Sequence, residues 1–132
     1  MRQYLLDADA IIDYIAGFPT TVAFIWALRA RGGVLTTCAV ALAEVYSGLH
    51  TRDSAKALPL LASLTFLPTS PDAARPAGEW RYAFARRSIA LATTDCLLAA
   101  TAHEEQAELV TGNLRHFPMQ RPIIVPLPRA VR

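Results

Sequence analysis

Tyr4-Leu5-Leu6-Asp7-Ala8-Asp9-Ala10-Ile11-Ile12-Asp13-Tyr14 decides how the chain folds. Tyr4 to Leu6 is an apolar run too short for a helix, and it carries no alternating polar face. It therefore reads as a strand buried on both sides. Asp7 closes it. Ala8 to Ala16 follows at once with helical periodicity and stops at Gly17, a residue suited to the left-handed end of a helix. A buried strand running directly into a helix is the opening of a βα unit.

The same grammar continues along the chain. Pro19 suits a first helical turn, and Thr20 to Arg31 carries that helix to Gly32-Gly33. Val34 to Thr37 is a second short strand. Ala39 to Leu49 is a helix, apolar nearly all round and so expected to be buried. Asp53 to Leu64 is a further helix, bent at Pro59. Thr65 to Leu67 is a weak third strand. Pro71 to Arg87 is a long helix with a possible break at Pro76-Ala77-Gly78. Thr94-Asp95 serves as the N-cap of a helix reaching about Glu105. Glu108 to Thr111 and Ile123 to Val125 are the last strands, and the terminal residues are expected to fray. Short apolar strands alternating with helices imply a central parallel sheet covered on both faces, an α/β fold in a single domain over residues 1–132.

Composition narrows the class. The 132 residues are 53% hydrophobic, enough for a packed core and too apolar for disorder. No apolar run is long enough, or free enough of charge, for a transmembrane helix, and the N-terminus lacks the pattern of a signal peptide. Cys38 and Cys96 lie in apolar stretches without ligand spacing, as reduced thiols in a cytoplasmic protein would, and neither a disulfide nor a zinc site is expected. The net charge of +2 does not by itself announce a nucleic-acid binder. Lys56 is the one lysine and every other basic residue is Arg. Arg grips phosphate bidentately, although a GC-rich genome gives the same bias.

Three acids stand alone in apolar surroundings. Asp7 ends the first strand, Glu44 is the only charge between Val34 and Leu49, and Asp95 is the only charge between Ser88 and Ala102. Burying a lone carboxylate is costly unless something pairs with it. In open α/β sheets, ligands collect at the carboxyl ends of the strands, so residues far apart in sequence can meet in one crevice. Asn113 lies just past the strand that ends at Thr111 and joins the same set. These donors are all hard oxygen, suited to Mg²⁺ or Mn²⁺ rather than zinc. Two carboxylates about 4 Å apart repel by about 4 kcal/mol at an effective dielectric near 20, so three in one pocket call for a cation. A divalent ion there lowers the pKa of water and neutralises phosphate oxygens, as phosphodiester hydrolysis requires.

The motifs resemble a known family. Leu5-Leu6-Asp7-Ala8-Asp9-Ala10-Ile11-Ile12-Asp13-Tyr14 is similar to the opening of PIN-domain proteins, and Ala43-Glu44-Val45-Tyr46-Ser47-Gly48 to their second acidic motif. Thr94-Asp95-Cys96-Leu97-Leu98-Ala99-Ala100-Thr101-Ala102 and Leu109-Val110-Thr111-Gly112-Asn113-Leu114-Arg115-His116-Phe117 resemble the third and fourth. Each is weak alone; the four in order, spanning nearly the whole chain, are specific, and they are nearest to VapC toxins. The resemblance implies a three-layer α/β/α sandwich and a Mg²⁺-dependent endoribonuclease that forms a homodimer and is inhibited by a VapB-type antitoxin. It implies Asp7, Glu44 and Asp95 as the metal-binding triad. Asn113 stands where many relatives have a fourth acid, and Ala8 where a hydroxyl residue is common, so the site is one charge short.

Other residues carry weaker expectations. Asp9 either supports the site from behind or is a solvated or capping residue. Thr111 either orients a water or fills a strand end. Arg115 is the best candidate for an RNA phosphate contact, with His116 beside it, whereas Arg86 and Arg87 read as a solvated helix end. His50 and His103 read as surface or helix-terminal residues. Trp26, Trp80 and Tyr82 are expected to pack between helices rather than stack on bases. Phe24, Ile25 and Leu28 offer apolar helix surface for dimerisation. Two competing functions remain. Asp7-Ala8-Asp9 is similar to the start of haloacid-dehalogenase-type phosphatases, which need a lysine near the phosphate, and Lys56 sits in an unsuitable helix. The other is a non-catalytic PIN-like module that binds RNA or a partner.

Overall fold

The computed structural model describes residues 1–49 and 53–128. His50 and the terminal residues 129–132, for which a surface position and fraying were expected, lie outside the described residues. The strands are β1 (Gln3–Leu6), β2 (Val34–Cys38), β3 (Thr65–Leu67), β4 (Ala107–Thr111) and β5 (Ile124–Pro126). The helices are α1 (Ala8–Ala16), α2 (Pro19–Ala30), α3 (Ala39–Gly48), α4 (Ser54–Ser63), α5 (Pro71–Ala85) and α6 (Thr93–Glu104). The strands form one sheet in the order β3-β2-β1-β4-β5, and every neighbouring pair is parallel.

Side chains alternate across this sheet into two cores. Leu5, Cys38, Leu67 and Leu109 face one side, where Ala73 and Ala77 of α5 and Cys96, Leu98 and Ala99 of α6 cover them. Tyr4, Leu6, Leu35 and Val110 face the other, against Ile11 and Ile15 of α1, Ile25 and Leu28 of α2, and Ala57 and Leu60 of α4. The result is an α/β/α sandwich. The split follows from handedness: β1→β2→β3 steps one way along the sheet and β3→β4 returns the other way, so right-handed crossovers put their helices on opposite faces.

Several expectations change. Helix α3 is not buried all round: only Ala41 and Val45 are fully covered, and Tyr46 is 61% exposed. It lies at the margin, giving Ala41 to one core and Val45 to the other. Helix α5 runs unbroken through Pro76 and Gly78. Helix α6 starts at Thr93 with Ala92 as an N-cap that makes no side-chain hydrogen bond, so Asp95 sits inside the first turn instead of capping it. Ile25 and Leu28 are spent in the core, at 2% and 3% exposure, and cannot form a dimer surface. No described single helix is long and apolar enough to cross a membrane; α1 and α2 reach that composition only as a pair bent by 115°.

Candidate active site

In the order β3-β2-β1-β4-β5 the crossovers diverge between β1 and β4. Such a switch point leaves a crevice beyond the carboxyl ends of the two strands. Asp7 follows the end of β1, and Thr111 ends β4 beside it. The ladder continues one step past β1, because the Asp7 N–H donates to Val110 O at 2.9 Å. Asp7 is then fixed at both side-chain oxygens. Its Oδ1 accepts from the Ala8 N–H at 2.7 Å, capping α1, and its Oδ2 accepts from the Thr111 hydroxyl at 2.7 Å. The Thr111 oxygen in turn accepts from the Asn113 N–H at 3.1 Å.

Asp9 reaches the same loop from the first turn of α1. Its Oδ2 accepts from the Gly112 N–H at 2.8 Å. Asp95 projects from the first turn of α6, where the helix N-terminus favours its charge, and its Oδ2 lies 3.3 Å from His116 Nδ1. Glu44 comes from α3, half-buried.

Electrostatics ties these groups together. Burial pushes the Asp7 carboxyl up to about 6; the Thr111 hydrogen bond opposes this, and the charges of Asp9 and Glu44 add to it. Glu44 is raised by burial and then by Asp95 and Asp9, with His116 acting in the opposite sense. Asp95 is raised by burial and relieved by His116. Asp9 and Glu44 thus make ionisation of Asp7 harder, and Asp95 and Asp9 that of Glu44.

Glu44 is thus coupled to Asp7 on one side and to Asp95 on the other, and Asp9 and His116 meet the same set. Asp9 is neither solvated nor a helix cap; it holds the loop after β4. His116, expected at a phosphate, stands beside Asp95. Thr111 is fully buried and its hydroxyl donates to Asp7, so it holds a carboxylate where the sequence pointed to a water or a plain strand end, and it is not open to a substrate. Asn113 is joined to the cluster through its backbone N–H, and among the described residues its side chain makes no hydrogen bond. Arg115 is exposed on the single helical turn Leu114–His116, next to His116. Trp26 and Tyr82 are 55% and 66% exposed, not packed as expected, whereas Trp80 packs on the α5/α6 core. In the sequence alone the supporting role of Asp9 stays one alternative among several, since a charged residue in a first helical turn usually faces water.

Among the described residues no three His, Cys, Asp or Glu side chains stand close enough together to hold a metal ion unaided. The donor chemistry nevertheless suits a hard cation. Mg²⁺ keeps several of its waters and takes only one or two carboxylates directly, so it does not require a closed protein cage. An ion of that kind would draw on one or two of Asp7, Glu44 and Asp95 for its direct ligands.

Comparison with known proteins agrees with this architecture. The PIN domain model matches residues 4–119. Ribonuclease VapC10 of Mycobacterium tuberculosis is 34% identical over 116 residues, covering 87% of this chain and 86% of the relative. Ribonuclease VapC19 of the same organism is 28% identical over 117 residues, covering 87% and 92%. Among solved structures, VapBC2 from Rickettsia felis bound to a DNA fragment from its promoter matches with a TM-score of 0.82 at 22% identity, covering 94% of this chain and 98% of that chain. The chain belongs to the PIN-domain family.

Proposed function

We propose that this protein is a Mg²⁺-dependent endoribonuclease, with Mn²⁺ as a substitute, and the toxin of a toxin–antitoxin pair. The observation that supports the reading is the electrostatic link of Glu44 to Asp7, at the β1/β4 switch point, and to Asp95, each of the three with its carboxyl raised by burial. Relatives named as ribonucleases support the reaction class, and a solved toxin–antitoxin complex of like fold from Klebsiella pneumoniae supports the partner class.

Asp7, Glu44 and Asp95 would hold the ion. When bound, Mg²⁺ supplies charge neutralisation at a phosphate oxygen and acidifies water. The protein's own part is placement. Thr111 fixes the orientation of Asp7, and His116 that of Asp95. Arg115, exposed beside them, binds a phosphate of the RNA backbone. Asn113 offers an amide rather than a fourth charge. The partners are an RNA substrate, a second copy of this chain and a VapB-type antitoxin, in the cytoplasm.

The test is cleavage of looped and single-stranded RNA by purified protein with Mg²⁺, with EDTA, and with Asp95→Asn. Metal-dependent cutting that the substitution abolishes supports the reading. Equal activity in excess EDTA overturns it. RNA binding without cleavage by the wild-type protein would instead favour a non-catalytic PIN-like module, a reading for which the missing acid at Asn113 is the motive.

A further inference from the structure

We propose that Asp9 is a positioning residue for the acidic site, anchoring through Gly112 the short segment that carries Asn113, Arg115 and His116. This rests on the ribonuclease reading for its consequence but not for its geometry. Asp7 and Asp9 are two residues apart at the start of α1, and they hold consecutive residues at the end of β4. Asp7 takes the Thr111 hydroxyl at 2.7 Å, and Asp9 takes the Gly112 N–H at 2.8 Å. The Thr111 oxygen then takes the Asn113 N–H at 3.1 Å. Past Asn113 the chain closes one helical turn, with the His116 N–H donating to Asn113 O at 3.0 Å. His116 meets Asp95 at 3.3 Å.

The segment 112–116 is thus tied at its start by Asp9 and at its end by Asp95. A loop leaving a strand has no ladder to hold it, and its backbone donors must find partners elsewhere. A charged acceptor makes the stronger kind of hydrogen bond, and Asp9 supplies it at the first residue beyond β4. Without that bond, the hydrogen bond left at the start of the segment among the described residues is Asn113 N–H to the Thr111 oxygen. His116 and Arg115 then lose their fixed distance from Asp95 and from the substrate. Asp9 acts through the loop, so an acceptor of the right reach is what anchors the segment, and its charge adds strength to that bond.

Two substitutions separate those roles. Asp9→Asn keeps a side-chain carbonyl that accepts from Gly112, and Asp9→Ala removes it. Hydrogen exchange measured by mass spectrometry reads the loop directly and needs no activity. The expected result is faster exchange in 112–116 for Asp9→Ala, unchanged exchange in β1 and β4, and near wild-type exchange for Asp9→Asn. In RNA cleavage, Asp9→Ala should lose about 10- to 100-fold, the range for residues that orient a metal site from behind, and Asp9→Asn should recover most of it. Unaltered exchange in 112–116 for Asp9→Ala overturns the anchor. An Asp9→Asn variant as inactive as Asp9→Ala, with its loop still protected, also overturns it, because the charge would then be what counts. If the wild-type protein cuts no RNA, the ribonuclease reading fails while the exchange data still decide the anchor. If Asp9→Ala does not fold, Asp9→Ser, too short to reach Gly112, takes its place.

Discussion

Asp7 carries the largest conflict in the molecule, with 4% exposure and a carboxyl raised from 3.8 to about 6. The folded state holds this proton more tightly than the unfolded chain does. Its contribution to stability is therefore fully present below about pH 4 and is lost as pH rises through about 6. The loss is about 3 kcal/mol at most, from a shift of about two units. Glu44 and Asp95 are displaced in the same direction and add to it. Asp7→Asn should then be at least as stable as wild type in EDTA at pH 7.5, with the difference shrinking towards pH 4, while RNA cleavage is abolished. Glu44→Gln and Asp95→Asn should behave alike. A metal-free melt showing several kcal/mol lost at pH 7.5 would mean that the acids are structural partners and not a metal site. Thr111→Val gives the complementary result. It keeps the shape but strips Asp7 Oδ2 of its donor, so it should cost about 1–3 kcal/mol in urea melts and raise the Asp7 carboxyl further. The three lone acids were legible in sequence because each interrupts an apolar run. Asp9 was ambiguous and His116 was assigned to phosphate, because their partners Gly112 and Asp95 lie on other elements. Only the parallel pairing of β1 with β4 brings Asp9 to Gly112, across 103 positions.

At the level of elements, two glycines make opposite predictions from one piece of geometry. Gly78 lies within α5, exposed, with nothing within 4 Å of an added Cβ and no left-handed backbone to require glycine. Gly78→Ala should stabilise the protein by about 0.5–1 kcal/mol, as helix propensity predicts. Gly33 lies where α2 turns into β2, and a Cβ there would stand 2.6 Å from the Tyr4 ring and 2.7 Å from Leu28 O. Gly33→Ala should destabilise by about 1–3 kcal/mol, since both neighbours belong to the packed core. Thermal melts of the two variants side by side check this. The strands and most helix ends were legible because buried strands and helix stops leave local signals. The burial of α3 was not, because alanine-rich composition is compatible with an exposed face, and Ala43, Tyr46 and Ser47 are exposed. The Asp95 cap was misplaced by one turn because Thr93, Thr94 and Asp95 are all good capping residues, and packing of Cys96 and Leu98 into the core sets where the helix begins. Pro76 carries the signal of a helix interruption, yet Ala73 and Ala77 on either side of it are buried in the core that α5 shares with α6.

At the scale of the whole molecule, the parallel order and its switch point concentrate negative charge in one crevice, and that governs how the protein meets its partners. Self-association should use exposed residues rather than Ile25 and Leu28, and sedimentation at micromolar concentration should show a dimer. Under the proposed function, an antitoxin faces a harder constraint. Asp7, Glu44 and Asp95 are all raised above their ordinary values, and Asp9 adds its charge to Asp7 and Glu44, so a positive charge placed among them would ease their ionisation. An inhibitor that supplied its own cation would both ease that ionisation and occupy the place of the metal. An Arg guanidinium is suited to this, because its planar fork of donors matches carboxylates and its charge persists at every physiological pH. The antitoxin is therefore expected to inhibit by placing a basic side chain, an Arg, among Asp7, Glu44 and Asp95. Cation and guanidinium then compete for one site, so added Mg²⁺ or Mn²⁺ should weaken inhibition in a concentration-dependent way. Replacing the pocket-facing Arg of the antitoxin by Ala should weaken inhibition as well and remove its dependence on metal. Titrating the complex with metal while following RNA cleavage measures both. If the Ala variant inhibits as well as its parent and metal changes nothing, the acidic crevice is not where inhibition acts, and steric exclusion of RNA from the Arg115 surface becomes the mechanism to pursue.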